Sequence, residues 1–88
     1  MDERKKAIAL RYIPGKDNAP VVVAKGYGEL AERIIELAKE HNVPVVEDVA
    51  LASALIKVDI YEEIPPQLYR AVAKILVFVE AIRTSRRS

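Results

Sequence analysis

Three groups of residues in this chain have types and spacings that do chemistry. Gly26-Tyr27-Gly28-Glu29-Leu30-Ala31 fits the pattern G-x-G-x-x-A. At a strand-to-helix turn such glycines let a pyrophosphate approach the N–H groups of the helix N-terminus. Glu47 follows about 20 residues on, where an acid would accept a hydrogen bond from a ribose hydroxyl. A small nucleotide-binding module using Gly26 and Gly28 is therefore one reading. Two features weigh against it. Lys25 stands where an apolar residue normally precedes the first glycine, and the chain has room for one βαβ unit, whereas dinucleotide sites use a larger doubly wound sheet. Without a ligand, the same glycines serve as residues of a tight turn.

The second group is a lone histidine. His41 has no cysteine and no second histidine to share a metal with, so it reads as structural and no metal or cofactor is expected. The third is apolar. On a helix entered at Pro66, the residues Leu68, Val72, Ile75, Leu76, Val79 and Ile82 share a core-facing side, and Gln67, Arg70 and Lys74 mark the opposite one. Phe78 falls about 20° from Gln67, with Val77 and Ala81 nearby. An aromatic within a polar face is either covered by another element or offered to a partner.

Composition narrows the classes. The chain has 88 residues, one small domain, and a domain of this size buries only about 60–65% of its unfolded surface. Hydrophobic residues make up 51%, enough for a core without metal or disulfide support, and no cysteine is present to form either a bridge or a thiolate site. With 14 basic and 13 acidic residues the net charge is +1, which argues against general nucleic-acid binding. No apolar h-region marks a signal peptide, and the longest apolar stretch, residues 75–79, is far short of the ~20 needed to span a bilayer. A soluble, stand-alone cytoplasmic domain is the expectation.

The elements that must position these groups follow from pattern. Residues 6–13 alternate as a strand with Ile8, Leu10 and Tyr12 on one face. Pro14-Gly15-Lys16-Asp17-Asn18 is turn chemistry, and residues 20–25 are a β-branched run suited to a second strand of an antiparallel hairpin. Residues 27–41 follow helical spacing, with Tyr27, Leu30, Ala31, Ile34, Leu37, Ala38 and His41 inward and Glu29, Glu32, Arg33, Glu36, Lys39 and Glu40 outward. Glu29 and Arg33 form a favourable i,i+4 pair. Asn42 suits the left-handed position after the helix, and Pro44 stops it. Residues 43–47 are a third strand, parallel to the second across the helix. Asp48 caps a helix to about Lys57, residues 58–64 are irregular, and Pro66 opens the last helix, reaching about Arg83. The predicted fold is α/β: a small mixed three-stranded sheet, an antiparallel hairpin plus one βαβ unit, packed by three helices. Residues 1–83 form the single domain, and residues 84–88 are a disordered basic tail.

Taken in order, four phrases carry a resemblance. They are Ala7-Ile8-Ala9-Leu10-Arg11-Tyr12, Ala19-Pro20-Val21-Val22-Val23-Ala24-Lys25-Gly26, Glu40-His41-Asn42-Val43-Pro44-Val45-Val46-Glu47, and Ile64-Pro65 with Leu68-Tyr69-Arg70-Ala71-Val72-Ala73. Together they resemble the cytoplasmic C-terminal domain of the FlhB family, the export switch of flagellar and virulence type III secretion in bacteria. The resemblance accounts for Lys25-Gly26 without a ligand. It also implies a job: family C-terminal domains are thought to recognise export substrates through a small apolar patch, whose matching positions here are Ala19, Pro20, Ala73 and Leu76. The implied partners are export substrates or export-gate proteins such as the FlhA cytoplasmic domain, with peripheral membrane association through that apparatus.

The chain departs from the family in two places. Family members cleave their own backbone at Asn-Pro-Thr-His; the aligned residues here are Asp2-Glu3-Arg4-Lys5. The reaction needs the Asn amide to close a succinimide in a turn before Pro, so Glu3 removes the turn geometry and Lys5 the imidazole. The expectation is a non-catalytic binding module, not an enzyme. After Glu47 the family's Asn-Pro-Pro-Leu-Ala-Arg-Ala-Leu-Tyr is replaced by Asp48-Val49-Ala50-Leu51-Ala52-Ser53-Ala54-Leu55-Ile56, and Tyr61 stands where a Gly is usual. The family's strand and helix before the cleavage motif have no counterpart here, so the first strand is expected to lie at a sheet edge blunted by Lys5, Lys6 and Arg11.

Overall fold

Ala7-Ile8-Ala9-Leu10 is buried on both faces, and that sets the whole architecture. A computed structural model describes residues 4–77. Strand β1 (Lys6–Arg11) is the centre of a three-stranded sheet, with β2 (Val21–Tyr27) on one side and β3 (Val45–Val46) on the other. Both ladders are antiparallel, Ala7 pairing with Gly26 on one side and Ile8 with Val46 on the other. β2 and β3 therefore run the same way, as a βαβ unit requires, but β1 lies between them and no parallel ladder forms. The expectation that the first strand lies at the edge is overturned. Four consecutive apolar residues are the signature of a strand covered on both faces, and the two ladders place this one at the centre of the sheet.

The two faces of β1 are dressed differently. On one, Ile8 and Leu10 join Val22, Val46, Ala52, Leu55, Ile64 and Val72 in the main core. On the other, Ala7 meets Ala31 and Ile35 of helix α1 (Gly28–His41), with Ile34 and Val45 packed against them. Alanine on both sides of that contact lets the helix lie close to the sheet. The buried stripe of α1 is Ala31, Ile35 and Ala38. Leu30 and Leu37, predicted inward, are 56% and 42% exposed, and His41 is exposed as well. The Glu29–Arg33 pair does not close within ion-pair distance, whereas Arg11 and Asp17 meet at 3.0 Å.

Local signals end the elements where expected. Asn42 is left-handed (φ 56°, ψ 40°), and its N–H and that of Val43 return to the Ala38 carbonyl, closing α1. The Asp48 carboxylate accepts from Leu51 N–H at 3.0 Å and starts helix α2 (Val49–Leu55). Residues 58–64 are irregular but not loose. Tyr61 N–H donates to Val22 O (2.6 Å), Val22 N–H to Glu62 O (3.1 Å) and Ile64 N–H to Pro20 O (2.9 Å), which covers part of the outer edge of β2. Pro65 leads into a 3₁₀ turn (Pro66–Leu68) with Pro at its first position, continuing as helix α3 through residues 69–77. α2 and α3 cover the main-core face and α1 the other, giving three layers. Asp2, Glu3, Phe78, the predicted helix end at Arg83 and the basic tail lie outside the described residues.

Candidate binding site

The turn after β1 is built around one carboxylate. Asp17 accepts from Arg11 Nε (3.2 Å), from Arg11 Nη2 (3.0 Å) and from the Ile13 N–H (2.9 Å), while the Ile13 carbonyl accepts from Lys16 and Asp17 N–H. The Arg11 hydrogen bond, then the Ile13 N–H, hold the Asp17 carboxyl below its ordinary value of 3.8, against a smaller opposing effect of burial. This clamp fixes Tyr12-Ile13-Pro14 as a wall rather than a floppy hairpin tip. Tyr12, expected to face the core with Ile8 and Leu10, instead stands 42% exposed in that wall.

Facing the wall is an apolar groove of about 860 Å³. Its floor is Leu10 and Val23, one end is Val43 and Pro44, and the far side is Ala73, Leu76 and Val77 of α3. Val23 reaches it through a β-bulge. The register jumps from Ala9↔Ala24 to Leu10↔Val22, so Val23 is the extra residue on its strand. The Leu10 N–H bonds the Pro44 carbonyl (2.9 Å), which holds the 43–44 end against the floor. Arg11 is the one charged side chain on the lining among the described residues, and Asp17 already engages it. Its described lining is otherwise apolar apart from the Tyr12 hydroxyl and backbone groups. Among the described residues no cluster of His, Cys, Asp or Glu could hold a metal.

The five residues singled out by sequence fare differently. Ala73 and Leu76 are brought together in the groove, Ala73 exposed and Leu76 half-buried. Ala19 and Pro20 are not on its lining: Ala19 is 2% exposed and Pro20 is half-buried, its carbonyl engaged by Ile64. Phe78 lies outside the described residues, but its neighbour Val77 is 69% exposed on the groove's rim. Sequence reasoning missed Tyr12, Ile13, Val43 and Pro44. The available signal was an apolar Tyr-Ile-Pro at a turn, where a solvated hairpin would carry polar residues.

The glycine turn does not assemble a nucleotide site. Gly26 is inside β2, and a methyl group on it would come within 2.6 Å of Leu30 Cγ, so Leu30 fills the space a pyrophosphate would need. Gly28 is left-handed (φ 58°), and its N–H is spent on the Lys5 carbonyl at 2.8 Å. Because β1 separates β2 from β3, Glu47 ends a strand roughly 10 Å across the sheet rather than the neighbouring one. Lys25, out of place in a nucleotide motif, has a structural role: its ammonium donates to the carbonyls of Ile56 (3.0 Å) and Val58 (2.9 Å) at the end of α2.

Comparison with known proteins adds four likenesses. Residues 4–79 match the family described as FlhB HrpN YscU SpaS. The chain is 51% identical over 74 residues to the flagellar biosynthetic protein FlhB of Aquifex aeolicus, covering 83% of this chain and 21% of that protein. It is 41% identical over 75 residues to the protein YlqH of Bacillus subtilis, covering 85% of this chain and 81% of that one. The crystal structure of the cytoplasmic domain of FlhB from Shewanella putrefaciens superposes with a TM-score of 0.73 at 35% identity, over 90% of this chain and 66% of that one. The chain thus spans about a fifth of the length of such FlhB proteins but most of YlqH. Among the described residues no helix is long and apolar enough to cross a membrane.

Proposed function

The chain belongs to the FlhB HrpN YscU SpaS family, and from that premise we propose that it is a non-catalytic protein-binding module of flagellar or type III export. Its partners are export substrates or export-gate proteins such as the FlhA cytoplasmic domain, met in the cytoplasm. The observation that carries the reading is the meeting of Ala73 and Leu76 with Tyr12-Ile13-Pro14 and Val43-Pro44 in one apolar groove. A groove of this kind recognises apolar side chains of a partner and asks for no catalysis. Ala19 and Pro20, buried and half-buried just before β2, lie off the groove's lining. Phe78 follows the groove's rim residue Val77 in sequence and is proposed as part of the same surface.

The absence of self-cleavage belongs to the same proposal. Asp2-Glu3-Arg4-Lys5 occupies the place of Asn-Pro-Thr-His, and a carboxylate is a poorer group for succinimide closure than an amide. The proposed binding surface is lined by residues 10–14, 23, 43–44, 73 and 76–77, none of them at the place of that motif. Loss of cleavage is therefore compatible with retained binding.

The test is a ¹H–¹⁵N titration of the chain with the FlhA cytoplasmic domain and then with rod and hook subunits. Shifts centred on Tyr12, Ile13, Val43, Ala73, Leu76 and Val77 are expected, with affinity near the micromolar range. Ala73→Asp, at an exposed position, should weaken binding about tenfold or more while leaving the spectrum of the free domain intact. No shift at those positions with partner in saturating excess would overturn the assignment.

A further inference from the structure

Helix α1 carries a second apolar surface, separate from the groove. Leu30, Ile34, Leu37 and His41 recur at spacings of four, three and four and fall within about 60° of arc, roughly 100° from the direction of the buried Ala31–Ile35–Ala38 stripe. Leu30 and Leu37 are 56% and 42% exposed, Ile34 is half-buried and His41 is exposed. This alternation of four and three is the seam of a helix pair. The chain supplies one helix of it.

We propose that this seam is the interface between two copies of the chain, paired through α1 in antiparallel orientation. The argument for a second copy is charge self-complementarity. In an antiparallel pair the apolar layers set Leu30 opposite His41 and Ile34 opposite Leu37 of the second copy. That same register brings Arg33 beside Glu40 of the second copy, and Glu40 beside its Arg33. Both side chains are exposed, and neither has an ion pair with another described residue. A two-fold contact must place each patch against itself, so opposite charges at reciprocal positions are what a self-pairing helix needs. A parallel pair would instead set Arg33 beside Ala38, which offers nothing to it. The 14-residue helix limits the contact to well under ~1,200 Å², so the dimer is weak and forms only at high concentration.

The experiment is sedimentation equilibrium from roughly 10 µM to 1 mM, with ¹H–¹⁵N spectra over the same dilution series. Self-association is expected, with dilution shifts confined to residues 29–42. Arg33→Glu and Glu40→Arg each replace two attractive contacts by two repulsive ones and should each weaken self-association about tenfold. Mixing the two variants restores both ion pairs between unlike copies, so the mixture should associate at least as well as the unsubstituted chain. Both substitutions are at exposed positions, and retained circular dichroism confirms that each variant is folded. A chain that stays monomeric at 1 mM overturns the proposal. So does self-association that the single variants leave unchanged, or that their mixture fails to restore.

Discussion

Lys25 ties the edge strand to the end of α2, and removing its ammonium is the sharpest test of how the fold is held. Its Nζ donates to two carbonyls, Ile56 O at 3.0 Å and Val58 O at 2.9 Å, where the chain leaves the helix and turns toward residues 58–64. Hydrogen bonds from a charged donor contribute about 1.5–3 kcal/mol each, and the carbonyls lose their partner when it goes. The group is half-buried, so water recovers part of this, and Lys25→Met should cost about 2–3 kcal/mol. Methionine keeps the apolar stem in place, which isolates the ammonium. A domain of this length has a total stability of roughly 4–13 kcal/mol, so the loss is a large share of it. With a urea m-value of ~1 kcal/mol/M for so small a domain, the unfolding midpoint should fall by about 2–3 M at unchanged m. Amide protection at Ile56 and Val58 should fall with it. A midpoint shift under ~0.5 M at the same m-value refutes the reasoning, because solvent would then satisfy both carbonyls as well as Lys25 does.

Two further outcomes follow from the loops. The folded pKa of Asp17 lies below its ordinary value of 3.8, so the clamp contributes fully above that value and loses its contribution as pH falls through the lower, folded pKa; Asp17→Asn should flatten this part of the acid limb of stability, measured by urea midpoints between neutral and strongly acidic pH, and an unchanged limb refutes it. Tyr61 is held left-handed (φ 70°) and 73% exposed where the resembling family has Gly, so Tyr61→Gly should relieve about 1–2 kcal/mol of backbone strain, offset in part by unfolded-chain entropy, for a net gain of about 0.5–1 kcal/mol in thermal unfolding. Destabilisation by that change would mean the Tyr61 side chain contributes more than its backbone costs.

Features written in one or two residues were legible, and features made by distant segments were not. Asp48 as a helix cap, Asn42 as a left-handed stop and Pro66 at a first turn each act through their own backbone, so type and position sufficed. The unbroken Ala7–Leu10 run, more than the alternation of Ile8, Leu10 and Tyr12, carries the place of β1, and its Ala7 lies beneath α1. The rotation of α1 has a related cause. Leucines weigh most in any hydrophobic pattern, but the face that fits closest to a sheet is the one with alanines, here Ala31 and Ala38 around Ile35. The groove was half legible: the α3 residues Ala73 and Leu76 came from resemblance, while its other walls meet only because β3 folds back along β1 and a bulge turns Val23 toward them.

A small apolar groove is a weak binding site unless its walls are already in place, because ordering a loop at the moment of binding consumes affinity. Each wall here has a fixed support that is independent of any partner. The Tyr12–Pro14 wall is set by the Asp17 clamp, and the Val43–Pro44 end by the Leu10 N–H and the left-handed stop at Asn42. The α3 side is anchored in the main core through Val72, which is fully buried one residue before Ala73. These supports lie in β1, the loop after it and the core. The sheet's central strand is paired along one edge with β2 and, at Ile8 and Ala9, with β3 on the other. The groove's walls are thus held by contacts within the domain itself, which is what the proposed binding role requires of them.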